Sequence, residues 1–478
     1  MTASSTWRCT AASTACVPCR ARSWTSSRCP SPSGDWPAWH DRGQIPGRPR
    51  PGALRGRPMP HRPAELRLGP VTLASPALLT DLYELTMAAV YLREGMTAPA
   101  TFSCFVRRLP PSRRFLVAAG LADVVAWIEA FRLDEDALEG LRALQRFDAA
   151  TCRQLAALRF EGELRAVPEG TVLYPDEPLL EVTAPLPVAQ LLETAVLNLC
   201  HYATVVATAT ARCALAAGGR TLIDFGARRA PGPEGALRAA RAMAIAGVTA
   251  TSHLLAARHL GLPAVGTMAH SFVSAFPSER AAFDAFARAW PDTAVLLLDT
   301  YDTLAAVPRA VAVARELEAR GHRLAGVRLD SGDLGALSRE VRAGLDAAGL
   351  RDVRIVASGG LDAPAIAELA ATDAPVDTLA LGSRVVMPDD APALDMAYKL
   401  VAYDGRDVLK LSPAKATWVG RKQVWRGAGG DLLAGDDEPG PPGAEPLLQP
   451  VLVRGTRTGT LPDLPAIAAH CRAQLDAP

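Results

Sequence analysis

Short apolar runs that recur about every thirty residues, each ending in polar or glycine residues, constrain this chain more than any other feature. They begin near 221 (TLIDFG), 264 (AVGTMAH), 294 (AVLLLDT), 324 (LAGVRLDSG), 354 (RIVASGG) and 376 (VDTLALGS). A strand, a crossover helix and the next parallel strand need about that much chain. Between the runs, residues 302–320 place Leu304, Val307, Val311, Ala314 and Leu317 on one stripe with Arg315, Glu316 and Glu318 off it, which predicts a helix. Residues 278–290 open on Ser278, a good N-cap, and carry Phe283 and Phe286 on one side. Runs that are apolar throughout suit parallel strands buried on both faces. The repeats predict an α/β fold, an irregular (β/α) barrel. A doubly wound sheet is the alternative, because alternation alone does not show closure.

A chain of 478 residues is too long for one ordinary core. Upstream of the repeats, the patterns predict a helix over 79–94, a strand over 100–107 and a helix over 119–131. Short runs at 162–167 and 170–174 follow, with Pro168, Pro175 and Pro178 around them, and residues 188–215 read as a helix. Residues 66–190 are therefore expected to form an α+β domain and residues 191–400 the barrel. Residues 410–426 (KLSPAKATWVGRKQVWR) read as paired strands and 427–449 as a Gly/Pro/Asp-rich loop. The 401–478 segment is expected to return to the first domain.

The first 65 residues differ from the rest. Cysteines 9, 16, 19 and 29 and tryptophans 7, 24, 36 and 39 lie there among Ser, Arg and Pro, with few acids and no periodicity. Such a stretch forms no core, so 1–65 is expected to be a disordered extension or the product of a start placed too early, with Met59 a candidate start. Cys16 and Cys19 lack a second ligand pair for zinc.

A net charge of +1, from 51 basic and 50 acidic residues, supplies no field for nucleic acid or an anionic membrane. No apolar run approaches the roughly 18 residues of a membrane span. Nine cysteines without a repeating spacing suit reduced thiols in a cytoplasmic protein.

The polar ends of the repeats form a set. Phe225 leads into Arg228 and Arg229, Thr267 precedes His270, and Asp299, Asp302, Asp330 and Asp333 supply carboxylates. Ser358-Gly359-Gly360 and Gly382-Ser383 are N–H-rich turns that enter helices, which suits phosphate. Carboxylates beside arginines suit Mg²⁺ with a polyphosphate. Singly, each has a plainer reading: the arginines as rim ion pairs, the aspartates as helix caps, His270 as a satisfied loop histidine. Their shared position at one end of successive strands favours a site for a sugar phosphate carrying a metal-bound pyrophosphate.

At residues 80–87 (TDLYELTM), 225–236 (FGARRAPGPEGA), 266–273 (GTMAHSFV) and 328–334 (RLDSGDL), the chain resembles the nicotinate phosphoribosyltransferase family, from about Leu79 to Trp425. The resemblance implies a type II phosphoribosyltransferase: an irregular barrel joined to an α+β sandwich domain, usually a homodimer. It implies that Tyr83 stacks on the pyridine ring, from its own or the partner subunit, with Phe225, Thr267, Arg328 and Arg228 also at the substrate. Ser358, Gly359, Gly360, Gly382 and Ser383 would hold the 5′-phosphate, and Asp299, Asp330 and Asp333 the ribose and Mg²⁺. His270 matches the histidine phosphorylated by ATP in that family. The expected substrates are nicotinate, phosphoribosyl pyrophosphate and ATP, with Mg²⁺. Ala250, His253 and Ala380 depart from the family pattern. Nicotinamide or quinolinate transfer, or a barrel that only binds a sugar phosphate, are the rival readings.

Overall fold

The structure is a computed structural model that describes residues 76–409 and 418–476. The 1–65 extension, with Cys16, Cys19 and Met59, lies outside the described residues, as do 410–417.

Five of the six apolar runs become strands of one parallel sheet. Its order is Ala250–Thr251, Thr221–Asp224, Thr378–Leu381, Arg354–Ala357, Gly326–Leu329, Val295–Leu297. The sheet is a curled half-barrel whose two edge strands do not pair with each other. The run at 264 corrects the expectation. It contributes only an isolated bridge, Ala264 to Thr251, and the sheet position belongs to the two-residue strand Ala250–Thr251. That strand is too short for a periodicity signal.

Leu296, Leu297, Val327, Leu329, Ile355, Ala357, Leu379 and Leu381 are buried in this sheet. The helix Thr303–Ala319, capped by Asp302, covers it with Val307, Ala310, Val313, Ala314 and Leu317. Leu304, read as part of that stripe, is exposed: in the helix's first turn it lies beyond the covered surface. Helix Glu279–Ala289 is capped by the Ser278 hydroxyl.

A second sheet is antiparallel and draws on both ends of the chain. Its order is Arg406–Asp407, Met396–Tyr403, Pro99–Val106, Pro178–Pro185, Glu163–Ala166, Gln449–Val453, Thr456–Arg457. It has its own core, including Phe102, Trp127, Leu164, Val182 and Tyr398, with Phe102 and Tyr398 stacked at 4.8 Å between centroids. The helical region read over 188–215 is two helices, Leu186–Leu191 and Glu193–Ala217. The longer one serves both cores: Val196 and Leu199 pack in the antiparallel core, Val206, Ala207 and Cys213 in the parallel one.

The segment read as a 427–449 loop is also corrected. Lys422–Gly427 and Gly430–Gly435 form a hairpin, joined by Glu445–Pro446 in a three-stranded sheet. Its glycines sit at the turn, Gly430 with φ of +105°, so composition suggested loop where the backbone needed a tight reversal. The closing helix Leu464–Asp476 buries Ile467 and Cys471 in the parallel-sheet core. At Gly170 a Cβ would stand 2.9 Å from that of Cys471, so only glycine admits this approach.

Candidate active site

The C-terminal ends of the parallel strands bring most of the polar set together. Arg328 is at its centre. Strand Gly326–Leu329 delivers the side chain, only 11% exposed, among partners from neighbouring strand ends. Nε donates to Ser358 Oγ at 2.7 Å, Nη1 to Thr267 Oγ1 at 3.1 Å and Nη2 to Asp330 Oδ1 at 2.6 Å. The guanidinium lies 5.3 Å from the centroid of the Phe225 ring. A planar cation held at three corners and packed on an aromatic face is fixed in orientation before any ligand arrives.

Asp330 continues the network. Burial raises its carboxyl, but the Ser358 hydroxyl and the Arg328 guanidinium outweigh that and hold it below the ordinary carboxylate range. Its second oxygen faces His270, with Oδ2 3.7 Å from Nε2. His270, half exposed, begins the short helix His270–Ser274, and its Nδ1 lies 3.2 Å from Thr300 Oγ1. Asp299 accepts from the Asp330 amide at 3.2 Å and from the Ser331 hydroxyl, while its other oxygen is buried without a partner.

Other expected residues stand apart from this network. Asp333 is exposed and caps helix Leu334–Ala347, accepting from Ala336 N at 2.9 Å, and Asp302 caps its own helix in the same way. Arg228 and Arg229 are exposed on a 3-10 turn and form no ion pair among the described residues. Tyr83 is 49% exposed on helix Leu82–Arg93, and its phenol is raised by partial burial and by Glu193, Glu84 and Asp81. Asp81 and Glu84 of the same motif accept from Thr194, and Thr80 donates to Glu84, pinning that helix to the start of helix Glu193–Ala217.

The two glycine turns have different reasons for their residues. Gly359 has φ of +88°, and a Cβ there would stand 1.9 Å from the Asp330 carbonyl oxygen. Gly360, φ +66°, lies under Arg384, whose Nη1 donates to Asp362 at 2.8 Å. Gly382 precedes the turn Ser383–Val386 and has no steric demand of this kind. Arg384 was missed in the sequence, although a cation beside two N–H-rich turns was readable there.

Asp224 was missed too, though it ends a strand as the others do. It is buried and accepts from Gly226 N at 2.7 Å and from the Thr251 hydroxyl at 2.6 Å, tying two strand ends together. Thr251 in turn accepts from His253 N at 3.0 Å, and the His253 Nδ1 is buried without a partner.

Residues 78–201 match the family model for the nicotinate phosphoribosyltransferase N-terminal domain, and residues 206–399 that for the quinolinate phosphoribosyl transferase C-terminal domain. The nicotinate phosphoribosyltransferase pncB2 of Mycobacterium tuberculosis is 50% identical over 411 residues, covering 84% of this chain and 87% of that protein. The chain belongs to the nicotinate phosphoribosyltransferase family. Among solved structures, the human nicotinic acid phosphoribosyltransferase superposes with a TM-score of 0.74 at 34% identity, over 83% of this chain and 93% of that one. A nicotinate-nucleotide pyrophosphorylase from Pyrococcus furiosus gives 0.70 at 25% identity, over 83% and 94%. The family is one of enzymes that act on small molecules, and among the described residues no helix is long and apolar enough to cross a membrane.

Proposed function

We propose that the protein joins nicotinate to phosphoribosyl pyrophosphate, giving nicotinate mononucleotide and pyrophosphate for NAD synthesis, coupled to ATP through His270. The observation that carries this is the Arg328 guanidinium, held by Thr267, Ser358 and Asp330 over Phe225 at the strand ends. The anionic pyridine is recognised there, with exposed Arg228 a further cation for its carboxylate or for pyrophosphate. Tyr83, exposed on helix Leu82–Arg93, stacks on the ring from the second subunit of a homodimer. The glycine turns at 359–360 and 382–383 offer amides to the 5′-phosphate.

The pyridine nitrogen forms a bond to ribose C1 as the C1–O bond breaks and the electron pair leaves with pyrophosphate. That nitrogen is already nucleophilic, so the protein contributes alignment and charge stabilisation. Asp330 and Asp333 would hold Mg²⁺ carried in with the polyphosphate, Asp330 through the oxygen turned toward His270 and Asp333 beside its helix cap, and the ion would offset part of the pyrophosphate's charge. In the coupled step His270 attacks the γ-phosphate of ATP, an N–P bond forms, ADP leaves, and water later takes the phosphoryl group. With Nδ1 facing Thr300, Nε2 is the nitrogen left for attack. The buried free thiols Cys104, Cys152, Cys200, Cys213 and Cys471 suit a cytoplasmic setting.

The test is pyrophosphate release from phosphoribosyl pyrophosphate and Mg²⁺ with nicotinate, nicotinamide or quinolinate, with and without ATP. Release with nicotinate, stimulated by ATP, is expected. Release with quinolinate alone would favour the activity named by the model matched over 206–399. His270→Ala should lose the ATP stimulation while slower synthesis continues; full stimulation in that variant would remove His270 from the coupling step.

A further inference from the structure

We infer that Ser358 is a positioning residue of the pyridine site, its hydroxyl spent on orienting Arg328 and Asp330 and not on the sugar phosphate. This rests on the nicotinate reading above. A serine hydroxyl has one proton to give and two lone pairs to offer. Here the oxygen accepts from Arg328 Nε at 2.7 Å and its proton goes to Asp330 Oδ1, with the Leu329 carbonyl a more distant acceptor at 3.2 Å. The residue is 2% exposed. A phosphate is an acceptor and needs a donor; this hydroxyl has none left and does not reach solvent.

The backbone keeps Ser358 in that role. Its amide donates to the Leu329 carbonyl at 2.8 Å, and the next residue, Gly359, presses on the Asp330 carbonyl with no room for a side chain. The loop is thus laid against the strand end that carries Arg328. Its Gly359 and Gly360 amides remain for phosphate, while the serine side chain faces the pyridine side. Arg328 lies on strand Gly326–Leu329 and Asp330 just past its end, and Ser358, just past the end of the neighbouring strand Arg354–Ala357, touches both, so it fixes both rotamers at once.

Ser358→Ala leaves the buried Nε of Arg328 without an acceptor and removes a donor from Asp330. The KM for nicotinate should rise roughly tenfold to a hundredfold, while that for phosphoribosyl pyrophosphate stays within about twofold. Ser358→Thr should restore much of the affinity for nicotinate. A rise in the phosphoribosyl pyrophosphate KM equal to or larger than that for nicotinate would overturn the inference, as would no change in either. If the alanine variant does not fold, Ser358→Cys, which keeps the volume and weakens the donor, is read by the same ratio. Wild-type turnover with nicotinate is measured first. If it is absent the proposed reaction fails, and phosphoribosyl pyrophosphate binding by the alanine variant then decides Ser358: retained binding supports the inference, and lost binding overturns it.

Discussion

Two clusters of buried charge, one in each large sheet, look alike in their burial and differ in what they leave open. In the antiparallel sheet, Glu181 is 2% exposed and pairs with Lys422 Nζ at 3.1 Å, while neighbouring Arg165 pairs with Asp436 at 2.6 Å. Lys422 Nζ also donates to the Gly420 carbonyl at 2.8 Å. Each charge there has an opposite charge within ion-pair distance, although Glu181 Oε1 and Arg165 Nη1 make no aligned hydrogen bond, and together they bind the strand Lys422–Gly427 to strands laid down some 240 residues earlier. At the ends of the parallel strands, Arg328 is as firmly held, but the groups around it stay available. His270 is half exposed, the second oxygen of Asp330 is turned toward it, and one oxygen of Asp299 has no partner. Burial of charge alone therefore says little about function. Burial with an open side is what a binding site needs, because a ligand must find donors and acceptors not already matched.

The sharpest break between the clusters is Arg328→Ala. It should lower nicotinate turnover on the order of a thousandfold, about 4 kcal/mol, because it removes the recognising cation and strands Asp330 and Ser358. The purified variant should still melt cooperatively near the wild type; a collapse of the fold with proportionate loss of activity would erase the distinction. The converse variant, Glu181→Ala, leaves Lys422 buried with only carbonyl partners and should cost about 3–5 kcal/mol of stability in urea unfolding. Its folded fraction should keep wild-type kcat/KM within about twofold, and a selective kinetic defect would mean that the closed cluster also serves the site.

A smaller effect comes from Glu84 in the helix motif. Burial first, then Glu193, pushes its carboxyl up to about 7 against hydrogen bonds from Thr194 and Thr80. Below the ordinary carboxylate value both states are protonated and its stabilising contribution is complete. Between that value and about 7 the folded chain keeps a proton that the unfolded chain has released, so stability falls as pH rises through this window. Glu84→Gln should flatten that part of the curve of urea midpoint against pH. An unchanged slope would show that Glu84 is ionised throughout.

What was legible in the sequence is what is local. The spacing marked five of the six parallel strands, and Asp302 and Ser278 marked the starts of two helices, because caps and burial patterns act within a few residues. Arg328, Asp330 and His270 could be read as a set because each ends or follows such a run. The rest depended on distant partners. Strand Gln449–Val453 pairs with Glu163–Ala166, nearly 300 residues away, which no local pattern announces. Strand Ala250–Thr251 was hidden by its length, and the run at 264 misled because an apolar segment beside an edge looks like a strand inside the sheet.

By itself, then, the sequence determined the repeating strand–helix plan, the family and the roster of polar residues at the strand ends. The tertiary structure decided what each of those residues is free to do. Asp333 and Asp302 are helix caps, Ser358 serves Arg328, and Asp224, unremarked in the sequence, ties two strand ends together. The physical reason is that a side chain's chemistry is fixed by its type, whereas its spare donors, acceptors and charge depend on which neighbours the fold brings within hydrogen-bond reach.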